Sequence, residues 1–207
     1  MHAIDELEIT VDEALLGAPD HTLLARALQA HAGRIAARLG PRGRTRAVSP
    51  VRVLRLAASQ PELCAKARST AAQVVQFLEP LLSVPLPSRY AALLDEAEQA
   101  LASVQHPLEV LEAIFTLRET RRDAAPAFQA GLQAALDLLG DALETAGCST
   151  SASSVFGKRD PAGAARACAL GCIWAALAGS VAGIAPAVAA VAGAVAGTAQ
   201  AAIESRL

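Results

Sequence analysis

Aromatic residues are scarce in this chain: four Phe, one Tyr and one Trp make up 3% of 207 residues. A core must therefore be filled by Ala, Leu and Val, and stacking on nucleic-acid bases has little to work with. Other scarcities exclude further classes. The cysteines are Cys64, Cys148, Cys168 and Cys172, and the histidines are His2, His21, His31 and His106. Their spacing matches no zinc template. No Ser/His/Asp order, Gly-rich phosphate loop or metal signature stands out. No enzyme, no cofactor and no small-molecule substrate are expected. The N-terminus, MHAIDELEITVDEALLG, is acidic and lacks the basic and apolar regions of a secretory signal. Cytoplasmic synthesis with reduced thiols is the expectation.

Hydrophobic residues are abundant, at 53%. Their spacing is helical over long stretches, which predicts an all-α fold. Helices are expected from about Asp20 to Leu39, from Pro50, from Pro61 to Leu82, and from Arg89 to Val104 with Ser88 as cap. Two more follow His106–Pro107 and Pro126, and Gly147 ends the last. The connections are short, so these helices form a bundle over 1–146. Residues 147–163, GCSTSASSVFGKRDPAG, are rich in Ser and Gly and form the best linker. An apolar segment, 164–207, closes the chain.

The net charge of −2 conceals an asymmetry. Residues 1–20 carry six acids and no Lys or Arg, residues 26–68 carry ten bases and one acid, and residues 79–144 carry eleven acids and four arginines. The plain reading is that the acidic parts pack around the basic one. The functional alternative is a basic patch over Gly40–Arg55, formed by Arg42, Arg44, Arg46, Arg52 and Arg55, that contacts an anionic partner through phosphate-type contacts.

From Ala167 to Ile203 there are 37 residues without a charge. Taken as one helix, Leu170, Ile173, Leu177, Val181, Ile184, Val188, Val191 and Val195 fall on one side, spread over roughly 80°. The other side is smooth: Cys168, Cys172, Gly179, Gly183, Pro186, Gly193 and Gly197. Gly179/Gly183 and Gly193/Gly197 are small-xxx-small pairs, which let a second helix approach closely. Cys168 and Cys172, one turn apart, read either as a redox or metal pair or as two small residues that pack well. A disulfide across one helical turn fits poorly with helix geometry, which favours packing. Pro186 divides the run, so the segment is either a long helix or a helical hairpin.

Three roles suit such a segment: the buried centre of a soluble bundle, a membrane anchor or hairpin, or a membrane-active peptide on a helical precursor. Around ACALGCIWAALAGSVAGIAPAVA the chain resembles the halocin-like bacteriocin precursors. The shared features are a C-x-x-G-C pattern at Cys168, Gly171 and Cys172, an apolar Gly/Ala run, and Gly183-Ile184-x-Pro186. The resemblance implies a membrane-disturbing peptide released from its N-terminal region. The chain departs from that family in having only three cysteines after residue 147. The leading expectation is membrane association or self-association through the smooth face, as in a bacteriocin-like or pore-forming protein. The competing expectation is a soluble helical interaction or scaffold protein, with the apolar segment in its core and the basic loop on an anionic partner.

Overall fold

The computed structural model describes Ile35, Ala37, residues 50–147 and residues 160–204. All regular structure among them is helical. The helices are α1 (Pro50–Ala58), α2 (Ala65–Leu82), α3 (Ser88–Ala102), α4 (Pro107–Thr120), α5 (Pro126–Gly147), α6 (Pro161–Ala182) and α7 (Pro186–Glu204). The all-α bundle expected from the periodicity is the fold, and its C-terminal part is a helical hairpin.

Proline sets most of the helix starts. Five of the helices, α1, α4, α5, α6 and α7, open on one. Its fixed φ suits the first turn, and its missing N–H has no partner there anyway. Side chains complete two of these starts. His106 Nδ1 accepts from the Leu108 amide, while Glu109 Oε2 accepts from the His106 amide, so the two form a capping box at α4. Asp160 Oδ1 accepts from the Gly163 amide at 2.7 Å and caps α6. Two expected starts need correction. Ser88 does not cap α3, because Pro87 holds the N-cap position and no side-chain bond is made there. Pro61 does not open α2: residues 61–63 form turns, and the helix starts at Ala65.

Buried apolar residues form two clusters. One unites Ile35 with the inner faces of α1 and α2, through Val53, Leu54, Val74 and Leu78. The other unites α3, α4 and α5 through Leu101, Ile114, Phe128 and Leu132. The α6–α7 hairpin lies between them and contributes to both. Ile173, Leu177, Cys168 and Cys172 of α6 face the second cluster, whereas Val191, Val195 and Ala196 of α7 face the first. The hairpin is thus the middle layer of three. Helices before and after the expected linker share both cores. The linker itself, apart from its first residue and residues 160–163, lies outside the described residues.

Burial of each large core side chain stabilises the bundle by about 1.5–3 kcal/mol. One buried polar group works against this. Gln60, at the corner between α1 and α2, is 1% exposed, and its side-chain oxygen has no hydrogen-bond partner. An unsatisfied buried acceptor costs about 1–3 kcal/mol. Gln60→Met, which keeps the volume and removes that oxygen, is expected to raise stability by about 1 kcal/mol. A urea midpoint that stays put or falls would contradict this.

Candidate functional site

The hairpin turns at a glycine. Gly183 has φ +77°, the only positive φ among the described residues. L side chains resist that conformation, and glycine does not. The Ile184 amide donates to the Gly179 carbonyl at 2.8 Å, and the Gly183 amide donates to the Ser180 carbonyl at 3.4 Å. This pattern closes α6 as a Schellman motif. Pro186 then begins α7 at its first position.

The single-helix reading of 167–203 therefore fails at the turn, and four residues leave the smooth face: Cys168 and Cys172 pack in the core with α3–α5, and Gly183 and Pro186 belong to the turn. Gly183 is exposed at the cap, with open space where a Cβ would stand. Pro186 starts the second helix and makes no part of a helix-packing face. The Gly179/Gly183 pair is not a packing pair.

The small residues that do meet are spaced four apart on each arm. On α6 they are Ala167, Gly171, Ala175 and Gly179. On α7 they are Ala189, Gly193 and Gly197. A Cβ on Gly171 would fall on the Gly193 carbonyl oxygen, and a Cβ on Gly193 would fall on that of Gly171. One on Gly197 would strike the Ala167 carbonyl, and one on Gly179 would lie 2.6 Å from the Ala189 Cβ. The arms are in backbone-to-backbone contact along their length. Gly179, Gly193 and Gly197 do form an association face, and its partner is the other arm of the same hairpin.

Gly171 was missed as a packing residue because at roughly 100° per residue it lies about 80° from Gly179, outside the narrow smooth sector. Gly131 was missed as well. It lets α5 approach α6 closely, since a Cβ there would lie 2.8 Å from the Ile173 Cα. Strict four-residue spacing of Ala and Gly within each arm was the available signal for Gly171.

Cys168 and Cys172 are both buried on α6, in the core shared with α3–α5. Thr198 of α7 returns its hydroxyl to the Ala194 carbonyl at 2.9 Å. Among the described residues no group of three or more His, Cys, Asp or Glu side chains could hold a metal. Where α3 ends and α6 begins, Glu98, Asp160 and Arg166 line an open groove of about 440 Å³. Arg166 donates to the Ala102 carbonyl at 3.2 Å and lies 3.9 Å from Asp160, so it ties α6 to α3.

The basic patch is only partly within view. Arg42, Arg44 and Arg46 lie outside the described residues. Arg52 and Arg55 are exposed on α1, and Arg55 pairs with Glu79 of α2. A second ion pair, Arg121 to Glu96 at 2.7 Å, joins the end of α4 to α3. Its hydrogen bond and charge hold the Arg121 guanidinium above its ordinary pKa.

The hairpin ends in an uncharged tip. Residues 180–188, SVAGIAPAV, contain no charge. Val181 is 41% exposed, less than Phe115, Leu82 and Leu108 elsewhere on the surface, and Ala182, Gly183 and Ala187 are exposed beside it. Comparisons with protein-family models, with curated proteins and with solved structures return no match.

Three glycine substitutions separate packing from backbone freedom. Gly193→Ala pushes a methyl onto backbone and is expected to destabilise by about 3 kcal/mol or more. Gly183→Ala meets no atom and pays only for its left-handed φ, about 1–2 kcal/mol. Gly140→Ala, in open space on α5, is expected to stabilise by about 0.5–1 kcal/mol. Chemical denaturation of the three variants checks the order. Equal effects at Gly183 and Gly193 would contradict it.

Proposed function

We propose that this is a membrane-associating protein that carries its lipid-inserting element, the α6–α7 hairpin, inside a helical bundle able to exist in water. The uncharged, solvent-exposed tip is the observation that supports this reading. Burial accounts for apolar arms, because a helix that is apolar all round belongs in a core. Burial does not account for an apolar tip, because residues 181–183 and 187 face water. A hairpin that enters a bilayer leads with its tip, and each charge there would cost about 2.5–3.5 kcal/mol at the membrane centre.

The dimensions agree. α6 has 22 residues and α7 has 19, which gives lengths of about 33 and 28 Å, close to the roughly 30 Å hydrocarbon core. By length and composition α6 is the one described helix able to cross a membrane, and the apolar part of α7, Pro186–Ala201, is shorter. Backbone contact between the arms lets them enter as one unit. The resemblance to halocin-like precursors extends the reading to a bacteriocin-like or pore-forming protein. In that variant the hairpin is released by cleavage between Gly147 and Gly163, and the intact mass of the native product tests it.

The second reading is a permanently soluble interaction protein whose hairpin never leaves the core. The hairpin's burial on both sides is what that reading requires. Its anionic partner would compete with Glu79 for Arg55.

Charging the tip distinguishes the two. Val181→Lys combined with Ala187→Glu alters exposed positions and puts each charge at the helix end whose dipole favours it, so the water-soluble fold and its melting temperature should hold. Dye release from phosphatidylglycerol–phosphatidylcholine vesicles at pH 7 and pH 4.5 should be present in the parent and reduced at least tenfold in the variant. Equal release from both proteins would defeat tip-first insertion. No release from the parent under either condition would favour the soluble interaction protein.

A further inference from the structure

The three layers are not tied together equally. Helices α1 and α2 make their substantial contacts with each other and with the hairpin arms, and none of that extent with α3, α4 or α5. Their ion pair, Arg55 to Glu79, is internal to the pair. The hairpin is also fastened to α3 and α5. Gly131 brings α5 against the α6 backbone, and Arg166 reaches the Ala102 carbonyl of α3. The chain passes from α2 to α3 through Ser83–Pro87, where Pro85 and Pro87 keep the two helices from merging. Leu86 of that connector packs on both clusters and so sits where the layers join.

We propose that α1–α2 is a cover that leaves the hairpin as a unit about the Ser83–Pro87 connector, and that the α7 face beneath it is the surface handed to lipid. That face carries Val191, Val195, Ala192, Ala196 and Ala199, and Trp174 of α6 packs beside it. The hairpin keeps its contacts with α3–α5 in this step. What the cover uncovers is uncharged, so lipid acyl chains are the ligand its chemistry fits. The membrane reading above underlies the lipid step. The opening step does not depend on it.

Native residues supply the reporters. Cys168 and Cys172 are buried on the α3–α5 side, and Trp174 is the single tryptophan. In a full-length chain with Cys64→Ser and Cys148→Ser, a third thiol is placed under the cover as Val195→Cys, or as Val191→Cys if the first variant folds poorly. Thiol labelling with dithiobisnitrobenzoate in dilute urea is then followed site by site. The thiol under the cover is expected to react at least tenfold faster than Cys168 and Cys172, with a weaker urea dependence. Equal rates with equal urea dependence would mean that only global unfolding exposes either side, and would overturn the cover even if vesicles leak. Vesicles containing brominated phosphatidylcholine test the second step on the parent chain. Quenching of Trp174 is expected as the cover departs. Fast labelling without quenching would overturn the lipid assignment and leave the opening in place.

Discussion

The backbone contact between the two hairpin arms is the constraint on which the structure depends. At Gly171 and Gly193 there is no space for even a methyl group between the helices. Side chains that would normally separate two helices are therefore absent along this line, and the arms form a thin slab. Only a thin slab can have helices on both faces and still be covered by a chain of this length. A larger residue at the crossing would push the arms apart and disturb both cores, because each arm contributes to both.

The slab explains the division of labour among the other helices. Each outer layer needs one apolar stripe, directed inwards, and the hairpin supplies the opposite wall for both. Leu170, Ile173 and Leu177 of α6 point to α3–α5, while Trp174 of α6 and Val191 and Val195 of α7 point to α1–α2. The same arrangement leaves the two outer layers with little reason to meet each other. An interior organised in this way can come apart along a face of the hairpin without every helix unfolding, because cooperative units follow the density of buried contacts. The charge pattern follows the same division. The basic start of the described chain is answered within its own layer, by Glu79, and Arg121 is answered by Glu96 across the other. Exposed pairs of this kind are screened by water, so they decorate the layers and do not bind them together.

Much of the fold was legible in the residues. The starts at Pro50, Pro107, Pro126 and Pro186 are local facts, since proline at a first helical position needs no tertiary help, whereas Pro161, read as part of the linker, opens α6. The division of the apolar run near Pro186 was legible for the same reason. The start of α2 was not: Pro61 has the signature, but turns occupy 61–63 and the helix waits until Ala65. The pairing of small residues was only half legible. Four-residue spacing marked Gly193 and Gly197 correctly, while Gly183 was assigned to a face it does not occupy and Gly171 was passed over. A helical wheel carries no information across a left-handed residue, because one positive φ rotates everything beyond it.

The sequence by itself determined that the chain is helical, where most helices begin, and that its last part is too apolar to face water along its length. These follow from short-range sterics and from the cost of hydrating apolar surface. Only the tertiary structure decided what covers that part: the other arm on one edge, α1–α2 on one face and α3–α5 on the other. It also decided that the uncovered portion is the uncharged tip. The residues alone leave this open, because an apolar helix is equally satisfied by lipid, by a second copy or by its own chain, and only the fold places one of them beside it.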